Sequence, residues 1–339
     1  MTDVLVLTDG VAGHDRASDG VLAALSRHHT TEAGWLGIAE VRPRSRRIAR
    51  TCAALGAPEA FLSRNTLLAP DRVAPTFASR RLADWPARAD IVLSTGPSTA
   101  AANIAAARKY GARNIYCGFA KWPVLGFSMI LSPVVSRSPH VAFAPRPTRI
   151  DADALPRPRH LVDGQERRIA LLFGGETKHY AYTERDMDAL AEACRALLEA
   201  RPTWSLVVFD SRRTASRLFD RVASALAPLA PRATVHRFTD GGIASNAEAF
   251  SADIVLVSAD SLTMVTEAIA AGRPTLVVRA DAYRGPDRDV RELADLAAAR
   301  MIGRTTFGKL DLAALHATPM PTTISQPAAL SALLQSKGF

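Results

Sequence analysis

The feature that most constrains this chain is a unit that occurs twice: a short apolar strand, a glycine loop, then a helix. Val4–Leu7 runs into Asp9-Gly10-Val11-Ala12-Gly13-His14, after which a helical pattern extends from near Asp15 to about Arg27. Arg168–Phe173 runs into Gly174-Gly175-Glu176-Thr177-Lys178-His179, and a helix over Thr183–Ala200 follows with Thr183 as its cap. Apolar strands alternating with amphipathic helices call for parallel sheets covered on both faces, because parallel neighbours are joined by crossovers that pack back onto the sheet.

Further strands are expected at Trp35–Val41, Asp90–Ser94 and Asn114–Cys117 in the first half, with a helix over Pro97–Tyr110. In the second half strands are expected at Ser205–Phe209, Thr234–Phe238, Asp253–Val257 and Thr275–Val278. Helices should start there near Thr214, Asn246, Leu262 and Asp287. Between the halves Pro145, Pro147, Pro156 and Pro158 interrupt any regular element. The expected fold is therefore α/β, two successive Rossmann-like domains facing across a cleft. Residues 1–150 would form the first domain, 151–166 the linker and 167–325 the second. A terminal helix within 326–339 would pack back on the first domain.

The length, 339 residues, suits two domains at roughly 100–200 residues each. With 48% apolar and 22% charged residues the chain can bury a sizeable core, which excludes disorder. Three separated cysteines, Cys52, Cys117 and Cys194, form neither a disulfide framework nor a metal motif and fit a reducing compartment. No apolar run approaches the roughly 18 residues of a membrane span. Met1–Thr8 reads as an opening strand rather than a leader. The expected location is cytoplasmic, with a peripheral place on the inner face of the cytoplasmic membrane left open. A net charge of +9 favours anionic partners, but 6% aromatic residues and dispersed basic ones argue against nucleic acid. The stretch from Arg42 to Arg50, with five arginines, suits either a solvated helix face or contact with anionic lipid.

The first glycine loop lacks the GxGxxG spacing of a dinucleotide fingerprint, and the second lacks the Walker spacing. Gly10 and Gly13 serve a tight turn or an anion at the helix start, while the flanking Asp9 and His14 offer a proton acceptor and a group to orient it. Gly174 and Gly175 allow close backbone approach to a ligand, and Thr177 and Lys178 offer a hydroxyl and a point charge to phosphate oxygens. Arg212 and Arg213 precede a helix start, where arginine is unfavourable unless an anion shares the site. The richest segment is Asp253–Val278, in which a buried strand ends in Ser258-Ala259-Asp260-Ser261. A helix then begins at Leu262 and carries Thr263 and Glu267 on one face. Its start would meet a pyrophosphate and Glu267 the ribose hydroxyls; alternatively Glu267 only balances the helix dipole. The loop from His236 through Phe238 to Gly242 follows a neighbouring strand and would hold the base. The acidic pairs Asp151/Asp153 and Asp287/Asp289 read as solvated surface, so no metal site is expected.

Ser258 through Pro274, with Glu267 five residues before Gly272, resembles the nucleotide-sugar motif of GT-B glycosyltransferases, especially the lipid II-forming N-acetylglucosaminyltransferase family. Gly10–His14 resembles that family's acceptor-side loop. Ala259 stands where that family has arginine and Ser261 where it has glycine. A closer resemblance, over nearly the whole chain, is to the mitochondrial-fission "elongated mitochondria" family, many of whose bacterial members are classed as candidate glycosyltransferases. It is carried by Asp9–His14, Gly174–Tyr180, Ser211–Thr214 and Ser258–Glu267, in that order.

The resemblance implies a GT-B-like fold, with 1–150 as the acceptor-side domain and 167–325 as the nucleotide-sugar domain, and a metal-independent, inverting glycosyltransferase with a nucleotide-diphosphate sugar as donor and a cell-envelope glycan or lipid-linked acceptor. In that reading Gly175, Thr177, Arg212, Arg213 and Ser261 stabilise the departing diphosphate, and His14 or Asp9 takes the acceptor's proton. A nucleotide-sugar epimerase of the same fold and a non-catalytic membrane-associated scaffold are the competing expectations.

Overall fold

The computed structural model describes residues 1–38, 50, 86–119, 124, 126–150, 152–240, 246–321 and 326–339. The chain divides into two compact units, Met1–Arg149 with Pro327–Phe339, and Ile150–Gln326. Each is an α/β unit built on a parallel sheet of six strands.

The first unit contains β1 (Thr2–Thr8), α1 (Ala12–Leu25), β2 (Thr31–Gly37), β3 (Ile91–Thr95), α2 (Ala100–Tyr110), β4 (Arg113–Cys117), β5 (Met129–Ser132) and β6 (Val141–Phe143). The strand order is β2-β1-β3-β4-β5-β6. Alternation along β1 explains why the strand is apolar throughout: Val4 and Val6 pack with Val21, Ala24 and Leu25 of α1, while Leu5 and Leu7 pack with Ala101 and Ala105 of α2. A buried amide network fastens α2 to the sheet. Asn103 Nδ2 donates to Ser94 Oγ and to the Ile115 carbonyl, both at 3.0 Å, and Asn103 Oδ1 accepts from Asn114 at 2.8 Å.

The second unit contains β7 (Arg167–Leu172), α3 (Glu184–Ala200), β8 (Trp204–Phe209), α4 (Ser216–Leu226), β9 (Ala233–His236), α5 (Asn246–Phe250), β10 (Ile254–Ser258), α6 (Leu262–Ala270), β11 (Thr275–Arg279), α7 (Asp287–Ala298), β12 (Gly303–Thr306) and α8 (Leu312–His316). Its order, β12-β11-β10-β7-β8-β9, is that of the doubly wound dinucleotide fold. The start of α3 is fixed by a capping box: Thr183 Oγ1 accepts the Asp186 N–H at 3.2 Å and Asp186 accepts the Thr183 N–H at 2.9 Å.

The last helix, α9 (Gln326–Ser336), belongs from Pro327 onwards to the first unit. Leu330, Leu334 and Phe339 join the cluster around Val4 and Val21, and Ser331 donates to the Ala24 carbonyl at 2.6 Å. The Arg113 guanidinium lies 3.8 Å from the centre of the Phe339 ring and donates to the Lys337 and Gly338 carbonyls. Each buried leucine adds about 1.5–3 kcal/mol to this docking.

The elements depart from the sequence expectation where apolar signal is weak. β2 begins at Thr31, four residues before the expected Trp35, because it pairs in register with β1 from Thr2 while Glu32 to Trp35 stay exposed at the sheet edge. β5, β6, β12 and α8 were not foreseen. β9 ends at His236, and Phe238 already belongs to a 3-10 turn. α4 begins at Ser216 rather than Thr214, and α1 begins at Ala12, which puts Gly13 inside its first turn. Residues 41–49 of the arginine-rich stretch, Cys52, Asp151 and Gly241–Gly242 lie outside the described residues. Arg50 is buried, so its side chain does not belong to an exposed basic face. Among the described residues no helix is long and apolar enough to cross a membrane.

Residues 152–166 are held against the second unit rather than hanging as a tether. Asp253, just before β10, accepts from Arg159 Nε and Nη2, both at 2.9 Å, and from the Arg168 N–H at 2.9 Å. Burial works to raise the Asp253 carboxyl, but these hydrogen bonds outweigh it and hold it below the usual carboxylate range. A lowered carboxylate pKa contributes stability that is present above the unfolded value, about 3.9, and is lost as pH falls through the folded one. Asp253→Asn should therefore cost about 2 kcal/mol in urea unfolding at pH 7. The gap to wild type should narrow steadily below about pH 4; a gap that stays constant with pH would show that charge at Asp253 is not what fastens the segment.

Candidate functional site

In an open parallel sheet, loops at the carboxyl ends of the strands gather at the point where strand order reverses, and space opens there. In the first unit that point lies between β1 and β3, and in the second between β7 and β10. Most of the sequence-nominated residues fall at these two places, each within its own unit.

In the first unit, Asp9 leaves β1 and His14 sits in the first turn of α1. His14 Nδ1 lies 2.9 and 3.1 Å from the two Asp9 oxygens. The Asp9 side chain is 6% exposed and that of His14 32%. A carboxylate only accepts, so Nδ1 is the donor in this pair, and in the neutral form of the ring the acceptor lone pair is on Nε2. The loop is braced by the Gly10 N–H on Thr8 Oγ1 at 2.9 Å and by the Thr8 hydroxyl on Asp15. Gly10 has φ +74° and needs glycine for that reason, whereas Gly13 faces open space. The residue that shapes the back of the site is Gly96, after β3. Its φ is +93°, and a Cβ there would strike the His14 ring.

In the second unit three strand ends are tied together. The Gly174 N–H donates to Ser258 Oγ at 2.7 Å, Ser211 Oγ donates to the Gly174 carbonyl, and the Glu176 N–H donates to the Arg213 carbonyl at 3.1 Å. Beneath them Asp260 is sealed, its side chain 0% exposed. It accepts from Tyr182 Oη at 2.7 Å and from Arg213 Nη2 at 3.0 Å. Burial pushes the Asp260 carboxyl up, against hydrogen bonds from Ser258 and Tyr182 and the pull of Arg213. Burial also pushes the Tyr182 hydroxyl up, and the Tyr283 hydroxyl to about 12, with Asp260 adding to both. Tyr182 stands in an aromatic wall with Phe173 at 4.8 Å and Tyr180 at 5.2 Å between ring centres, and Tyr283 lies 5.2 Å from Tyr180.

Around this knot lie the other nominated residues, some buried, Ser261 among them, and some exposed. Ser261 is the N-cap of α6 and its side chain makes no capping hydrogen bond, so it leaves the first-turn N–H groups from Leu262 onwards uncapped by its hydroxyl. Leu262 and Glu267 are buried and Thr263 is exposed. Lys178 after β7 and Arg212 after β8 are exposed, and Phe238 after β9 is 59% exposed. The Thr177 hydroxyl accepts the His179 and Tyr180 N–H groups, both at 3.2 Å, and shapes its own loop.

Two sequence arguments change here. Arginine beside a helix start called for an anion, and for Arg213 the chain supplies one itself in Asp260. Asp260, expected to touch a ligand, is instead enclosed by protein. Ser258, Tyr182, Tyr283 and Gly96 were not among the nominated site residues. Among the described residues no group of three or more histidine, cysteine, aspartate or glutamate side chains is arranged to hold a metal ion.

The profile of the mitochondrial fission ELM1 family matches residues 12–324. The chain belongs to this family. Among curated proteins none matches it. Of solved structures, the UDP-GlcNAc 2-epimerase of Methanocaldococcus jannaschii is similar at 11% identity with a TM-score of 0.52, covering 99% of this chain and 100% of that one. The UDP-GlcNAc 2-epimerase of Neisseria meningitidis, bound to UDP-GlcNAc, is similar at 12% identity and TM-score 0.48, with 99% of each chain covered. The calicheamicin glycosyltransferase CalG4 is similar at 13% identity and TM-score 0.47, covering 100% of this chain and 95% of that one. At 11% identity the archaeal likeness is one of fold, and the fold of this ELM1-family chain is of the GT-B kind, two Rossmann-like units in succession.

The packing at Gly96 gives a direct check on the first site. Gly96→Ala should push the His14 ring off Asp9 and strain a left-handed backbone, costing about 1–3 kcal/mol. In NMR the wild-type His14 Nδ1 proton should be seen hydrogen-bonded and slow to exchange, and in the variant it should be lost. An unchanged resonance would mean the ring is not held by this contact.

Proposed function

We propose that this ELM1-family chain is a glycosyltransferase that takes a sugar from a nucleoside-diphosphate sugar and transfers it, with inversion and without a metal ion, to a cell-envelope glycan or lipid-linked acceptor. The observation that carries the reading is the second unit's switch point. Three strand ends converge there beside a helix start with no side-chain cap, an arrangement suited to a diphosphate. Phosphate oxygens would meet the α6 N–H groups, Ser261, Thr177, Lys178, Arg212 and Arg213, while Gly174 and Gly175, buried against Asp260 and the Arg213 main chain, hold the loop in place rather than touching phosphate. Glu267 would accept from the ribose hydroxyls, and the base would lie against the Phe238 loop.

The chemistry needs one proton acceptor and one charge sink. As the acceptor oxygen bonds to the anomeric carbon, its proton passes to His14 Nε2, and Asp9 steadies the imidazolium through Nδ1. The bond from the anomeric carbon to the diphosphate breaks with its electron pair on the leaving oxygen. Backbone N–H groups and arginine then meet the charge that develops. A single displacement of this kind inverts the anomeric centre.

Calorimetry with uridine, guanosine, adenosine, thymidine and cytidine diphosphates should find one that binds, and Glu267→Ala should weaken it about tenfold or more, as expected for hydrogen bonds to a charged group. His14→Ala should lower turnover by about 10²–10⁴ while leaving donor affinity within a few-fold. Conversion of the donor to an epimer with no acceptor present would replace transfer by epimerisation. Silence from all five nucleotides would remove the enzyme reading and leave a scaffold.

A further inference from the structure

We propose that Asp260 is a positioning residue that makes Arg213 a fixed clamp for the outer phosphate of the donor, so that the pair sets the preference for nucleoside diphosphates over monophosphates. The inference rests on the nucleotide-sugar reading above and assigns within it a role that neither residue type nor spacing discloses.

The argument begins with what Asp260 cannot do. Its side chain is 0% exposed, and its Oδ2 occupies the space a side chain at residue 174 would fill, so no ligand reaches it. Its position nonetheless governs a group that a ligand can reach. Arg213 is 38% exposed at its side chain and is anchored through Nη2 on Asp260 at 3.0 Å and Nη1 on the Glu176 carbonyl at 3.2 Å. A guanidinium has five N–H donors. These two bonds engage two of them and the rest carry no hydrogen bond among the described residues, while Nη2 and the Ser261 Cβ both crowd the space beside Gly174, which sets the guanidinium next to the α6 start.

The backbone of Arg213 is fixed as well. Its carbonyl receives the Glu176 N–H at 3.1 Å, its own N–H donates to Ser211 Oγ at 3.1 Å, and a Cβ on Gly175 would collide with its main chain. Both ends of the side chain are thus held before a ligand arrives. An exposed arginine loses much of its side-chain entropy when it is immobilised. Here that loss is met on folding, so more of the binding free energy is kept. Tyr182, whose Oη donates to the other Asp260 oxygen at 2.7 Å, keeps the carboxylate from rotating. The α6 N–H groups alone would treat one phosphate like another. A second, lateral cation rewards the second phosphate.

The test uses the nucleoside diphosphate that binds best to the whole chain and its matching monophosphate, titrated by calorimetry. Arg213→Ala changes an exposed side chain and should lower diphosphate affinity about tenfold or more while moving monophosphate affinity less than twofold. Asp260→Asn keeps the shape but cannot accept from Tyr182 and Arg213 with a full charge, and should reproduce the same selective loss. The double variant Asp260→Asn/Arg213→Ala should bind no more weakly than Arg213→Ala alone, since Asp260 acts only through Arg213. Equal losses for both nucleotides, or additive losses in the double variant, would overturn the proposal and leave Asp260 a structural residue. Should Asp260→Asn not fold, Tyr182→Phe read against Arg213→Ala gives the same cycle. An unchanged ratio in Arg213→Ala would by itself sink the clamp while the nucleotide-sugar reading stood. Absence of binding to wild type would sink both.

Discussion

A carboxylate removed from water must be surrounded by donors, and in this chain the donors for Asp260 come from segments that meet only when the second sheet is complete. Tyr182 follows β7, Arg213 follows β8, and Ser258 ends β10, so the bonds close across 78 and 47 residues of sequence for Tyr182 and Arg213 respectively. Removing one partner would leave buried charge uncompensated, which costs far more than the bond itself contributes. The position of the loops that form the candidate donor site is in this sense dictated from below, by a group that no ligand touches. The aromatic wall of Phe173, Tyr180, Tyr182 and Tyr283 keeps water away from that group and strengthens each of its bonds.

The two units apply one architectural rule to different chemistry. In both, the reversal of strand order brings the loop after the first strand against the loop after a neighbouring strand. In the first unit the contact is Gly96 against His14, and the result is an imidazole oriented by Asp9. In the second it is Gly174 against Asp260, and the result is a fixed arginine beside a helix start. In the proposed reading the first arrangement handles a proton and the second holds negative charge.

The architecture was legible in the sequence because both periodicities are strong where strands are buried on two faces. Val4–Leu7, Arg168–Phe173 and Asp253–Val257 announce themselves as unbroken apolar runs, and the glycine loops after them mark the carboxyl ends. β5, β6 and β12 escaped because they are three or four residues long, and β2 because an edge strand with exposed Glu32–Trp35 needs no apolar pattern. At the candidate site, the loops could be located from sequence, but the direction of their side chains could not. Nothing in Asp260 or Arg213 as residue types says that each would find the other. The argument from the helix dipole was sound in asking for an anion near Arg213, and incomplete in seeking it outside the protein. Tyr182 carried no signal beyond being aromatic and close to a capping residue.

This internal use of space also explains why the second glycine loop matches no nucleotide fingerprint. In dinucleotide and Walker loops the glycines make room for phosphate, and their spacing follows the phosphate's geometry. Here the space beside Gly174 is taken by a carboxylate and that beside Gly175 by the main chain of Arg213. The spacing therefore follows protein neighbours fixed by strand order. In the proposed reading anion recognition falls to the helix start and to exposed side chains, which are free of the fingerprint's constraint. A loop that looks degenerate beside a nucleotide motif is, in this chain, under steric demands as strict as those of the motif, set by different atoms.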